Sequence, residues 1–403
     1  MNTPDFLGIP IEFILFVLTL IGIAIWHHRT MQVALTGMVV VMVYKVLTQD
    51  FHPGHHFNEE SPTIVNLMGL LLGFEVLAKL FVDTHVPKII PKILPHNWVG
   101  PFLLLCIVFV LSSFLDNIAA ALIGGSIALV VFRGKVHVGY LAAIVAASNG
   151  GGSGSVLGDT TTTMMWIDGV APQDVLHAYA AAIPALLVFG IFGAVVQHRY
   201  HPMLKGSYEL PAIDYAKLLV VLLILFGAIF ANIVYDFPSA GVWAAIILGS
   251  LFTTIEWNAL QKAAPGAIFL CSLVFTASMM PVEKLPPASW ESTFVLGFVS
   301  SVFDNIPLTK LALDQMGYDW GVLAYAVGFG GSMIWFGSSA GVALSNMFPE
   351  ARSVAGWVRA GWFVMLGYIV GFAVLLLTMG WHPHAPHKDT DTAPATEQPV
   401  HAE

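Results

Sequence analysis

Charge is what this chain most lacks. Asp, Glu, Lys and Arg make up only 10% of its 403 residues, against 57% hydrophobic residues, and the mean hydropathy is +0.78. No soluble domain of this length hides so much apolar surface, so lipid is the solvent for most of the chain. Positive charge is the scarcer sign. Sixteen Lys and Arg face 25 Asp and Glu, a net charge of −9, which excludes a basic surface for nucleic acid. Cysteine is nearly absent. Cys106 and Cys271 lie in separate apolar segments, which argues against a disulfide framework. No C-x-x-C pair or His-rich spacing suggests zinc or haem, and no cofactor is expected. The first apolar run, Pro10–Trp26, has no basic region before it and no small-residue cleavage site after it. It reads as a retained membrane helix, not a removed signal peptide.

What the chain does have is acid inside apolar sequence. Asp116 lies in SSFLDNIAAALIGGSIALVVF (Ser112–Phe132), and Asp159 in SNGGGSGSVLGDTTTTMMWIDG (Ser148–Gly169). An intramembrane carboxylate is costly and marks a functional hypothesis. The design returns about half a chain later. SSVFDNIPLTKLAL (Ser300–Leu313) carries Asp304, and GFGGSMIWFGSSAGVALSN (Gly328–Asn346) follows it. Two copies of an interrupted, charged membrane element point to a secondary transporter.

A membrane span takes about 20 apolar residues. Spans are expected at Pro10–Trp26, Gln32–Leu47 and Ile64–Phe81, the last carrying Glu75. The polar stretch Gln49–Ser61, with His52, His55, His56, Glu59 and Glu60, reads as a solvated loop. Val86–Val99 alternates Pro and Lys with apolar residues and reads as an interfacial segment. The run 101–132 has a polar break at its middle, which predicts a re-entrant hairpin, tolerated only where it is buried in protein or faces water. The run 136–167 is one span broken by Gly150, Gly151, Gly152, Ser153 and Gly154. Val175–Val196 closes a first half at about residue 200, and 201–214 is the linker. In the second half, Tyr215–Val234, Ala240–Thr254 and Pro265–Met280 are spans. Residues 290–316 form the second hairpin and 320–347 the second broken span. Ala355–Trp381 is the last span, and 382–403 reads as a disordered tail. Lys and Arg cluster near Arg29, Lys88, Arg133, Arg199 and Arg352. Placing these in the cytoplasm satisfies the positive-inside rule and puts Asp168 outside. The expected fold is an all-α polytopic membrane protein. It has two inverted repeats, 1–200 and 215–381, each with about five spans, a re-entrant hairpin and a broken helix.

These residues resemble the ion transporter superfamily, which includes citrate carriers, arsenite permeases and NhaD-type sodium/proton antiporters, and they look nearest to the last. Asn149–Gly169 carries the resemblance, together with SSVFDNIP and GSSAGVALSN in the second half. It implies inverted repeats, a central site and a homodimer in the inner membrane. By carry-over, Asp116, Asn117, Asp159, Thr160, Thr161, Asp304 and Asn305 match motif positions, and Glu75 matches an acid of an early span. Ser148, Asn149, Ser338 and Ser339 fall within the same motifs. Lys310, just after DNIPLT, is able to pair with Asp304.

Hard cations take oxygen ligands from carboxylates, hydroxyls and carbonyls. Broken helices expose carbonyls, and Thr160–Thr163 offer hydroxyls beside Asp159. A sodium position is expected around Asp159, Asp116 and Thr161. A site that holds a proton or a cation but not both couples their opposite movements. The expected cargo is therefore sodium or lithium against protons. The same hairpins present helix N-termini, which favour anions. A citrate or dicarboxylate carrier and an arsenite-type oxyanion permease therefore stay open. Plainer readings stand beside these. Asp116, Asp159 and Asp304 suit N-caps. The threonines are able to bond back to carbonyls, and Glu75 sits four residues before Lys79, an i,i+4 pair. Asp168 and Asp174 read as solvated. A remote echo of intramembrane aspartyl proteases lies in Gly158-Asp159 and Tyr235-Asp236, in reversed order.

Overall fold

The computed structural model describes residues 5–6, 8–26, 29–203 and 211–386. A short antiparallel pair, β1 (Asp5–Phe6) and β2 (Ile9–Pro10), precedes α1 (Ile11–Ile25), α2 (Thr30–Thr48) and α3 (Pro53–Asp83). The short α4 (Val86–Ile93) leads to a hairpin of α5 (Val99–Ser112) and α6 (Asn117–Val131). Then come α7 (Val138–Ser153), α8 (Thr160–Ile167), α9 (Pro172–Leu176) and α10 (Tyr179–Tyr200). The second half holds α11 (Tyr215–Tyr235), α12 (Pro238–Gly249) and α13 (Asn258–Ala277). The hairpin of α14 (Trp290–Ser300) and α15 (Asn305–Gln315) follows, then α16 (Trp320–Gly330), α17 (Ser339–Met347), α18 (Val354–Ala360) and α19 (Trp362–Met379). Among the described residues, six helical runs are long and apolar enough to cross a bilayer: α2, α3, α9 with α10, α11, α13 and α19. The protein is an all-α polytopic membrane protein.

Burial separates two kinds of helix. Outer helices keep large apolar side chains on the surface, as Leu219, Phe226, Phe230 and Ile233 do on α11. In water such a belt would aggregate, and in lipid it is at home. The helices α7 and α16 are the opposite: Gly139–Ser153 and Trp320–Gly330 are buried on every face. They pack on each other at the centre. Around them the halves repeat one plan. In the first half α7 packs on α5 and α10, and in the second α16 packs on α14 and α19. The outgoing hairpin legs cross over, α6 onto α17 and α15 onto α8.

Glycine sets these approaches. A Cβ on Gly151 would collide with the Phe109 carbonyl, and one on Gly330 with the Gly297 carbonyl. Likewise Gly158 lies against the Ser112 carbonyl and Gly337 against the Ser301 carbonyl. This places the first break later than the glycine run suggests. Gly150–Ser153 stay helical, and the chain breaks only over 154–159. A helical glycine costs about 1 kcal/mol relative to alanine. Here the glycines allow a backbone contact that no side chain permits.

Three further expectations are corrected. The stretch expected as a loop is helical from Pro53 onward, and α3 runs for 31 residues. His56 on its first turns meets Ser278 Oγ at 2.9 Å, so it is not simply solvated. The tail does not leave at residue 382. Residues 382–386 pack back: Trp320 Nε1 donates to the His384 carbonyl at 2.9 Å, and His384 Nε2 meets Asp174 at 2.8 Å. Asp174 is therefore bonded, not merely solvated. The disordered-tail expectation for 387–403 and the linker core 204–210 lie outside the described residues.

Candidate functional site

Four short helices begin near the centre, and each starts on a polar cap. Asp116 accepts from the Ile118 amide at 2.9 Å, Asp159 from Thr161 at 3.2 Å and Asp304 from Ile306 at 3.0 Å. Ser338 Oγ accepts from the Gly341 amide at 3.2 Å. Pro307 sits in the first turn of α15, where its missing N–H costs nothing. The capping reading therefore holds for all three aspartates, and each cap contributes about 1 kcal/mol. Helix starts also carry roughly half a positive charge.

Asp159 differs from the other two. It is 1% exposed, while Asp116 and Asp304 are half-buried. Its Oδ1 serves the cap, but among the described residues its Oδ2 has no hydrogen-bond partner, and neither does Thr161 Oγ1. An unmet buried polar atom costs about 1–3 kcal/mol, more if charged. Asp116 and Asp304 both lie within electrostatic reach of it. Beside it runs a polar chain that joins the halves. Asn117 Nδ2 donates to Asn149 Oδ1 at 3.1 Å. Asn149 Nδ2 in turn donates to Ser332 Oγ at 3.0 Å and Ser338 Oγ at 3.1 Å.

Other expected residues fall elsewhere. Thr162 and Thr163 give their hydroxyls to the Ser155, Val156 and Asp159 carbonyls. They fold the break and are not free to form an oxygen shell. Thr160 is half-buried. Ser148 Oγ bonds back to the Val145 carbonyl, so it stays within α7. Asn305 is buried at the start of α15. Glu75, Asp116 and Ser339 line a cavity of about 860 Å³, with Lys79, Lys88 and Lys262 also on its walls.

The charge pairings are also corrected. Lys79 bonds Asp83 at 3.0 Å and Glu256 at 3.4 Å, which leaves Glu75 to the cavity. Lys310, 6% exposed, binds Asp314 at 2.7 Å and Glu60 at 3.4 Å, not Asp304. Residues four apart share a helix face, whereas six apart face away from each other. Asp168 and Asp314 line a second cavity of about 480 Å³ there. Asp236 is exposed at the end of α11, far from the buried setting of Asp159, so the aspartyl-protease echo gains nothing. Ser332 escaped the sequence reading. Matching Gly331-Ser332 to Gly152-Ser153 is the signal that finds it.

A family model described as CitMHS, citrate transporter, matches residues 13–330. Sodium/proton antiporter 1 of Arabidopsis thaliana is 26% identical over 91% of this chain and 69% of its own length. Sodium/proton antiporter 2 of the same plant is 22% identical, over 85% of this chain and 90% of its own length. The Na(+)/H(+) antiporter NhaD of Halomonas elongata is 34% identical over a shorter stretch, 21% of this chain and 18% of that protein.

Proposed function

The chain belongs to the CitMHS citrate transporter family and is a multi-pass secondary transporter; we propose that it exchanges sodium or lithium for protons. One observation carries this reading. Asp159 is a buried carboxylate at a helix break, with one oxygen unbonded among the described residues and no lysine or arginine in its own broken span. A proton or a small cation relieves that oxygen, and the two exclude each other. The Thr161 hydroxyl, also unbonded among the described residues, supplies further oxygen.

On this reading the halves 1–200 and 215–381 are inverted repeats, and rocking one part against the other exposes Asp159 to each side in turn. Asp116 and Asp304 hold the helix starts that frame the site, with Asn117, Asn149, Asn305 and Ser338 as polar support. The cavity lined by Glu75 and Asp116 is the water route from one side. The protein works in the inner membrane as a homodimer, not as an enzyme. Arabidopsis and Halomonas relatives named as sodium/proton antiporters support the choice of ions.

A second reading has its own observation. The same cavity carries Lys79, Lys88 and Lys262, and the family description names citrate. Proteoliposomes separate the two. Added sodium or lithium should dissipate a preset pH gradient, and citrate alone should not. Citrate uptake without sodium-driven proton flux would favour the carboxylate carrier.

A further inference from the structure

The two broken helices correspond residue by residue. Gly152 and Gly158 meet each other in the first half as Gly331 and Gly337 do in the second. On the same offset Ser153 matches Ser332, Asp159 matches Ser338, and Asn149 matches Gly328. The last pair is the informative one. Asn149 reaches from α7 across to the second break and donates to Ser338. By the same crossing, Gly328 on α16 faces Asp159. A Cβ built on Gly328 would stand 3.2 Å from Asp159 Oδ2 and 3.3 Å from Ser153 Cβ. So one crossing helix offers an amide to a serine, and the other brings only a glycine against a carboxylate, with less clearance than a methyl ordinarily needs. The oxygen it faces is the buried one without a hydrogen-bond partner among the described residues.

We propose that Gly328 is a specificity-determining residue: it sets the size limit for the cation held beside Asp159. The inference rests on the reading that Asp159 carries the cation. Discrimination between like-charged hard cations is a matter of cavity size, ligand number and flexibility. Gly328 controls the first of these without touching the ligands. The plainer alternative is that Gly328 is small only to let α16 approach α7. That alternative predicts no difference between ions.

The test is Gly328→Ala in the full chain, reconstituted in proteoliposomes, with proton release measured over a range of sodium and lithium concentrations. Alanine favours a helix over glycine, and the methyl needs its neighbours to give a few tenths of an ångström, so membrane yield and thermal midpoint are measured alongside to establish that the variant folds. The half-saturating sodium concentration should rise about tenfold while that of the smaller lithium ion stays within about twofold, a shift in relative binding of roughly 1 kcal/mol. Adding Ser153→Gly removes the opposing Cβ and should return sodium toward the wild-type value. No change, or an equal loss for both ions, overturns the proposal. Asp159→Asn in the same preparation separates the two levels. If that variant exchanges normally, the reading of Asp159 fails. If it is inactive and Gly328→Ala stays unselective, only the role of Gly328 fails.

Discussion

The two broken helices share a backbone and differ in chemistry. In both, glycine passes a carbonyl of the neighbouring hairpin, the chain leaves the helix, and a polar cap starts the second segment. In the first, the cap is Asp159 with a spare oxygen. In the second it is Ser338, whose hydroxyl both caps α17 and receives Asn149. The shared backbone therefore fixes where a helix start points, while the side chain at that start decides what it is able to hold. On the proposed reading the first break is able to change charge, while the second break, capped by a serine, stays neutral.

The strongest way to break this comparison is to neutralise the charged half. Asp159→Asn keeps the size and the cap but removes the proton site. It should leave the protein folded in membranes and lower sodium-driven proton movement by at least about 100-fold, the range associated with losing a proton-transfer group. Ser338→Ala removes a cap and a hydrogen bond, worth about 1–2 kcal/mol together, and should weaken stability while exchange persists. Everted vesicles with a pH-gradient dye measure both. Near-normal exchange by Asp159→Asn would reduce Asp159 to a helix cap.

A second prediction sharpens the contrast by asking where a fixed positive charge sits. Lys310 belongs to the second half's hairpin, yet it is held by Glu60 of α3 and Asp314. Removing one partner of a fully buried ion pair costs about 3–5 kcal/mol; here Glu60 and Asp314 are 17% and 25% exposed, so solvent takes up part of that cost. Lys310→Ala should therefore lower the thermal midpoint in detergent steeply. Lys310→Ala combined with Asp314→Ala and Glu60→Gln should recover part of it. If Lys310 instead paired with Asp304, the triple variant would recover nothing.

Much of this was legible in the sequence. The hairpins and broken spans appear as polar breaks in apolar runs, and Asp-Asn-Ile recurs at the turn of both hairpins. The element order follows almost span for span. What was hidden depends on packing. Hydropathy marks only what lies in lipid, so the polar start of α3 passed for a loop, although His56 docks on Ser278. Three glycines suggested a break, but burial on all faces keeps them helical. The roles of the threonines turned on which hydroxyl meets a carbonyl, and the run alone does not order them. Lys310 has one partner that the i,i+4 spacing offers, Asp314, and a second on a distant helix, Glu60, that no spacing rule reaches.

The smallest effect concerns how the two crossing helices are started. The first begins at His137, whose amide donates to Gln197, a partner that stays neutral. The second begins at Asp319, which accepts the His382 amide at 2.9 Å, and the adjoining His384 bonds Asp174 at 2.8 Å. The second start is thus fastened by a titratable clasp. Burial lowers the affinity of His384 for its proton, but the His382 carbonyl and the Asp174 carboxylate outweigh it and raise the pKa above the ordinary 6.5. A histidine whose folded pKa is raised stabilises the fold fully below 6.5 and loses that contribution as pH rises through the raised value. The side chain is 43% exposed, so solvent screens the pair and the gain is modest. His384→Ala should therefore lower the thermal midpoint near pH 5.5 and leave it unchanged near pH 9. His137→Ala should give no loss confined to low pH, because burial lowers the affinity of His137 for its proton. No loss at either pH for His384→Ala would mean that the tail is held by its backbone bonds alone, and the two starts would then be fastened alike.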